Sequence, residues 1–178
     1  MDTNESASDI EAELLFIHER TANIRAHLEN KAQACVQDYW DFHWQHNPEM
    51  DVENKSRMGV RVFRKNAETP YFSILWYWNK YIIDNKGRRH TFSNHIHKGR
   101  TKLTYARQTL LKHARDWEAD FILDVESRCA DIRRQLQDLN KAEAALKRML
   151  KHSQDASSRP ASESNDDGAP ERGDSPDA

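Results

Sequence analysis

Hydrophobic and polar residues in the first part of the chain alternate with the period of an α-helix. Between residues 8 and 46, apolar or small residues recur at spacings of three and four, which is the heptad seam of helices that pack along one another. Ser8 followed by Glu11 matches a capping box, so the helix should begin at residue 8. Pro48 disfavours helical geometry at the residue before it, so the helix should end near residue 46. The seam, which Lys31 interrupts, consists of Ile10, Leu14, Ile17, Thr21, Ile24, Leu28 and Cys35.

The period changes to two between residues 57 and 93, which indicates β-strands. The segment MGVRVFR alternates Met58, Val60 and Val62 with Gly59, Arg61 and Phe63. The segment YFSILWYWNKYII is rich in aromatic and β-branched residues and predicts a second strand. DNKG at residues 84–87 is a hairpin turn signal, and residues 88–93 form a short third strand. We therefore expect a three-stranded antiparallel meander.

A second helical stripe extends from residue 104 to residue 152. Its later part is another heptad seam, with Glu143 as the polar exception. The members of the stripe are Leu110, Ala114, Trp117, Phe121, Val125, Cys129, Ile132, Leu136, Leu139, Leu146 and Leu150.

Neither long helix can bury its apolar stripe alone. The pattern predicts an α+β protein in which the two helices pack as an antiparallel coiled-coil-like hairpin, with the small sheet inserted between them. A homodimer that uses the same seams is the competing solution, and the pattern does not decide between the two. We expect one domain over residues 8–152, a disordered N-terminus over residues 1–7, and a disordered acidic tail over residues 153–178, which contain no aromatic or large aliphatic residue.

Composition supports long exposed helices or a disordered part, because 31% of residues are charged and the mean hydropathy is −0.98. Cys35 and Cys129 lack metal-type spacing and are expected to be reduced core residues of a cytoplasmic protein. No apolar run approaches the roughly 18 residues that span a bilayer, and the acidic N-terminus is unlike a signal peptide. We expect no membrane partner.

The net charge of −2 conceals a strong asymmetry. Residues 55–115 carry 15 Lys and Arg against 2 acidic residues, which gives +13, whereas residues 1–54 carry −9. Residues 116–151 carry −1 and residues 152–178 carry −5. The middle third is as basic as a dedicated nucleic-acid-binding domain.

Strand alternation divides the aromatic residues of this basic region between two faces. Trp76 and Trp78 share a face and are expected in the core, whereas Tyr77 and Asn79 point the other way, with Arg61 and Arg89. Such a surface offers stacking, amide hydrogen bonds and phosphate contacts together. The alternative is a solvated sheet face that docks an acidic protein. The candidate nucleic-acid-binding residues are Arg57, Arg61, Arg64, Lys65, Tyr77, Asn79, Lys80, Lys86, Arg88, Arg89, His95, Lys98, Arg100 and Lys102.

Catalytic and metal-binding patterns are weak. His95 and His97 form an H-x-H pair that can bind a metal or transfer protons. Asp84 is the one acidic residue between Glu68 and Asp116, so the further ligands or carboxylates of a nuclease are missing from this segment. The sequence KGRTK lacks the glycine pattern of a P-loop. We expect a non-enzymatic protein without cofactor or metal, and a His-dependent nuclease is the least favoured alternative.

Three segments resemble the MobI-like conjugative transfer proteins of integrative and conjugative elements. In that family a strand bearing I-x-W-Y-x-N is followed by S-x-H-I-x-K-G and by a helix containing W-E. The corresponding residues here are Ile74, Trp76, Tyr77, Asn79, Ser93, His95, Ile96, Lys98, Gly99, Trp117 and Glu118. The resemblance covers residues 58–135. It implies an auxiliary mobilisation factor that acts at or near the origin of transfer, with DNA and relaxosome or other conjugation proteins as partners and no known catalytic residues.

Overall fold

The chain folds into two long helices with a three-stranded sheet between them, in a computed structural model that describes residues 3–99 and 102–157. Short 3-10 turns lie at Asn47–Glu49 and Asp116–Glu118. The two long helices have 44 and 39 residues, and the predicted α+β fold is confirmed. In chain order the elements are α1 (Thr3–His46), β1 (Met58–Arg64), β2 (Phe72–Ile83), β3 (Arg89–His95), α2 (Arg107–Leu111) and α3 (Ala119–Ser157).

Helices α1 and α3 pack antiparallel: later residues of α1 contact earlier residues of α3. Arg25 forms an ion pair of 2.7 Å with Glu143, and the Sγ atoms of Cys35 and Cys129 lie 3.5 Å apart. Both members of the ion pair are buried, so Arg25 explains the polar exception in the second seam. The Tyr71 hydroxyl also donates a hydrogen bond of 3.2 Å to Glu143.

The predicted seam of α1 is only half correct. Leu14, Thr21, Leu28 and Cys35 are buried, and the prediction that Cys129 lies in the core is confirmed. α3 packs on a stripe of α1 that contains these four residues together with Arg25, Ala32, Val36 and Tyr39. The other predicted seam positions lie beside this stripe and are exposed. The exposed fractions of Ile10, Ile17 and Ile24 are 52%, 41% and 50%.

The helix boundaries also differ from the prediction. α1 begins at Thr3, so residues 3–7 are helical where disorder was expected; they contain neither Gly nor Pro to stop the helix upstream of Ser8. α3 ends at Ser157, beyond the predicted end at residue 152. The rest of the two predicted disordered segments, residues 1–2 and 158–178, lies outside the described residues.

The prediction of one helix from residue 104 is wrong, because α2 is short and α3 starts only at Ala119. Contacts with other elements hold the chain before and after α2 away from one continuous helical path. The Tyr105 backbone N–H donates to Glu126 at 2.8 Å, and the Trp117 indole N–H donates to the Asn54 carbonyl at 3.0 Å.

The sheet has the strand order β1-β2-β3, and both pairings are antiparallel, as expected for a meander. Met58, Val60, Ile74 and Trp76 are buried on the inner face, against α1 and α3. Trp78 is half-buried and stacks on His113 with ring centroids 4.8 Å apart. The predicted division of the two strands into faces is confirmed. β3 covers residues 89–95 rather than the predicted 88–93.

Candidate nucleic-acid interface

The strand register defines the face of the sheet that points away from the helices. Gly59 lies opposite Tyr77, which lies opposite His95, and Arg61 lies opposite Leu75. Because side chains alternate along a strand, this register fixes the whole set. We call it the outer face, and none of its residues is acidic. Its members are Gly59, Arg61, Phe63, Ser73, Leu75, Tyr77, Asn79, Tyr81, Ile83, Arg89, Thr91, Ser93 and His95.

Arg61 occupies the space between two aromatic rings of the outer face. Its guanidinium carbon lies 5.1 Å from the centroid of the Tyr77 ring and 5.8 Å from that of Phe63. One Nη atom lies 3.0 Å from Nε2 of His95. Its Nε atom has no acceptor among the described residues, and no carboxylate there forms an ion pair with it. The positive charge of Arg61 is therefore positioned by neighbours that do not neutralise it.

Tyr77 lies flat enough over Gly59 that no side chain fits beneath it. A Cβ atom at Gly59 would be 2.5 Å from Cζ of Tyr77. Burial raises the pKa of Tyr77 above its ordinary value, although the charge of Arg61 opposes the shift. Beside this pair, the Ser93 hydroxyl donates a hydrogen bond of 2.7 Å to the Asn79 side-chain carbonyl. The Asn79 amide nitrogen thus stays available as a donor on the same face.

Two further arginines lie on or beside the outer face. The guanidinium carbon of Arg57 lies 5.3 Å from the centroid of the Tyr81 ring. Arg89 lies opposite Ile83 near the end of the hairpin and is exposed. Together with Arg61, these residues spread positive charge along the face.

The β2–β3 hairpin extends beyond the part of the sheet that the helices cover. From Lys80 to His95, every residue except Asp84 is exposed, on both faces of the two strands. Gly87 has a φ of 75°, and its N–H donates to the Asp84 carbonyl at 2.9 Å, which closes the turn. A hydrogen bond from His90, followed by one from the Arg88 backbone N–H, lowers the pKa of Asp84 to about 2. An exposed two-stranded ribbon has the width that the major groove of DNA admits.

Several predicted binding residues do not lie on the outer face. Lys80 points to the inner side of the ribbon, and Lys86 lies in its turn. Arg64 is bound by both carboxylate oxygens of Glu29, and Arg88 forms an ion pair of 2.8 Å with Asp84.

The other predicted residues are in loops. Lys65 follows β1 and is exposed. Lys98 is half-buried, Lys102 is exposed close to Gly99, and Arg100 lies outside the described residues. Sequence reasoning placed Phe63 on the outer face by alternation but did not count it among the site residues. Its exposed ring makes it part of the candidate site.

A buried ion pair fixes the chain that follows the sheet. Arg133 donates to both carboxylate oxygens of Glu126, at 2.9 and 3.0 Å. Glu126 also accepts from the Trp76 indole N–H and from the Tyr105 backbone N–H, both at 2.8 Å. Arg133 donates in addition to the Leu103 carbonyl at 2.8 Å. Residues 103–105 are thereby held against β2 and α3, next to the outer face.

Trp117 and Glu118 stabilise the start of α3 rather than the outer face. Glu118 is buried, its carboxylate accepts the Arg115 backbone N–H at 3.0 Å, and burial raises its pKa. Trp117 stacks on Phe42 near the end of α1, with ring centroids 5.8 Å apart. In the part of the chain that the structure describes, no group of three or more His, Cys, Asp or Glu could hold a metal, and no helix is apolar and long enough to cross a membrane.

Comparison with protein families gives one match. A family model described as "MobI protein" matches residues 28–147, which is more than half of the chain and includes the C-terminal part of α1, the sheet and most of α3. No curated protein and no solved structure matches the chain. The match agrees with the resemblance carried by the strand, loop and helix motifs, and the chain belongs to the MobI family of mobilisation proteins.

Proposed function

We propose that this mobilisation protein is a non-enzymatic accessory factor that binds DNA at or near an origin of transfer. The outer face and the β2–β3 ribbon form the binding surface. The observation that carries the proposal is the charge of Arg61, which two aromatic rings and His95 position but no described carboxylate neutralises. A cation held in this way is available to a phosphate, and each phosphate contact releases condensed counterions.

The position of each residue on the outer face determines which part of the DNA it contacts. Arg57, Arg61 and Arg89 contact the sugar–phosphate backbone along the outer face. Tyr77 and Asn79 lie between them and offer a ring for stacking and an amide donor for a base edge. Arg64 and Arg88 contribute less, since ion pairs with Glu29 and Asp84 offset their charge.

A salt titration of DNA binding tests this proposal. The variant Arg61→Gln/Arg89→Gln removes two cations from the outer face. The matched control, Arg134→Gln/Lys141→Gln, removes two exposed cations from α3, outside the outer face and the ribbon. Since each neutralised phosphate contributes about −0.9 to the slope of log K against log salt concentration on duplex DNA, the outer-face variant should make this slope less negative by about 1.8. The control should bind as the wild type does.

The result that contradicts the proposal is an outer-face variant with the affinity and slope of the wild type. Footprinting across the transfer origin of the element, with and without the protein, then locates the site.

A second function is favoured by one observation. Ile10, Ile17 and Ile24 form an exposed apolar stripe at heptad spacing on α1, as in helices that bind a further helix. The protein would then be a scaffold or adaptor in an assembly such as a relaxosome, or a homodimer, and its basic sheet would dock an acidic protein. In the same titration, binding of polyglutamate without binding of DNA supports this second function.

A further inference from the structure

A concavity of about 470 Å³ opens on the outer face where β3 ends. β3 pairs with β2 only from Tyr77 onward, so the first half of β2 has β1 on one side and no strand on the other. The chain after His95 turns along this vacant side and walls it. Leu75 and the Phe63 ring, neighbours on the outer face, form the floor. The volume lies within the range of roughly 300–1,000 Å³ typical of small-ligand sites.

The floor of the concavity is apolar and its wall carries cations. Phe63 is 43% exposed, with the Arg61 guanidinium carbon 5.8 Å from its ring centroid, so part of the ring is open to a ligand. His95, His97 and Lys98 line the wall, and Arg61 reaches the rim through its contacts with His95 and Phe63. None of the described lining residues is acidic. A ligand that suits this lining has a flat apolar face and an adjoining negative charge.

Two residues of the wall, Ile96 and Tyr105, are anchored before any ligand binds. Tyr105 lines the concavity, and its backbone N–H is bound by buried Glu126 at 2.8 Å. The Ile96 N–H donates to the Trp76 carbonyl at 3.0 Å, which anchors the chain where it leaves the sheet. A site held by buried bonds loses little freedom when it binds, and this favours affinity.

A nucleotide has the required shape and charge, but its base must be unstacked. In a duplex both faces of a base are covered by its neighbours, so a base can enter a pocket only from a single strand or after it is flipped out. An acidic peptide would satisfy the cations of the wall but leave the Phe63 and Leu75 floor uncovered.

We propose that this concavity binds one unpaired base of single-stranded DNA, stacked on Phe63, with its phosphate held by Lys98 and Arg61. The inference rests on the proposed DNA-binding function and adds to it a preference for single-stranded over duplex DNA.

The test compares a labelled single strand with its annealed duplex, using the full chain. Phe63→Ala should lower single-strand affinity about 5- to 150-fold, the range expected when one stacking contact is lost, and duplex affinity less than about 2-fold. Phe63→Trp should restore binding. The matched control is Phe16→Ala, which removes a similarly exposed ring, 52% exposed, from α1, outside the outer face and the ribbon. It should bind both DNA forms as the wild type does.

Ultraviolet crosslinking of the wild type to a single strand that contains 5-iodouracil provides a readout that needs no variant. A crosslink at Phe63 or at a neighbouring wall residue supports the pocket, even if Phe63→Ala fails to fold.

The outcomes separate the two proposals. If the wild type binds both DNA forms while Phe63→Ala has no effect, or weakens both equally, the pocket is refuted and the DNA-binding function stands. If the wild type binds neither form, or binds only polyglutamate, both proposals fall.

Discussion

The buried ion pair between Glu126 and Arg133 leads to a quantitative prediction about stability. The substitution Glu126→Gln keeps the shape of the side chain but removes its charge and one of its two acceptor oxygens. Arg133, whose side chain is 7% exposed, then has no counter-charge among its described partners. The amide nitrogen of Gln is itself a donor, so it cannot accept the hydrogen bonds that one carboxylate oxygen of Glu126 accepts. Breaking a buried pair from one side costs about 3–5 kcal/mol.

That loss is large compared with the stability of an ordinary domain, about 5–15 kcal/mol. For a chain of this size, each kcal/mol shifts the melting temperature by about 2–4 °C, so we expect Glu126→Gln to melt about 6–20 °C below the wild type. The measurement is equilibrium urea denaturation followed by tryptophan fluorescence, with thermal melting as a second probe.

The control is a second carboxylate of α3 that also pairs with an arginine. Asp131 and Arg134 form an ion pair of 2.8 Å, but their side chains are 60% and 61% exposed. Asp131→Asn should cost less than about 1 kcal/mol, because solvent screens such a pair. If Glu126→Gln and Asp131→Asn prove equally mild, the assigned role of the buried pair is wrong.

Two further predictions concern the outer face and the pH dependence of stability. In Gly59→Ala the new methyl group displaces the Tyr77 ring from Arg61, so DNA affinity measured by fluorescence anisotropy should fall about 5-fold. Ser127→Ala, at an exposed position of α3, should not change the affinity, and equal affinities of the two variants would contradict the role of Tyr77. Burial lowers the pKa of His43, so between about pH 7 and 5 the unfolded chain takes up a proton that the folded chain does not. The free energy of unfolding should therefore fall as the pH drops through this window, and His43→Gln should show a smaller fall in urea denaturation at stepped pH; an unchanged slope would exclude His43 as the source.

The faces of the sheet could be read from the sequence because strand alternation is a local property. The pleat turns successive side chains to opposite sides whatever packs on them, and one side must be buried. Trp76 could therefore be assigned to the core and Tyr77 to the outer face before any tertiary contact was known. Gly87 likewise marked the turn through its need for a positive φ.

The seam of α1 could not be chosen from the sequence, because two stripes fit a repeat of seven. Ile10, Ile17 and Ile24 form one stripe, and Leu14, Thr21 and Leu28 form the other. Which stripe is buried depends on the position of α3, and the residues of α3 lie in the second half of the sequence.

The sequence also could not show which cations of the basic region are offset by ion pairs with distant residues. Arg64 and Glu29 are separated by 35 residues, and nothing near Arg64 in the sequence reveals that its charge is offset. The composition located the basic region, but the register and these pairs decide which of its cations face a ligand.

The ion pair between Arg25 and Glu143 also determines how the two long helices align during folding. Two heptad seams can in principle pair in several alignments that differ by seven residues, because each shift presents apolar residues again. A shift of α3 by one heptad would bring Leu136 or Leu150 to the position of Glu143, and Arg25 would be buried without its partner. An uncompensated buried charge costs about 3–5 kcal/mol. The polar exception that interrupts the seam thus selects one alignment of the hairpin and rejects its nearest competitors.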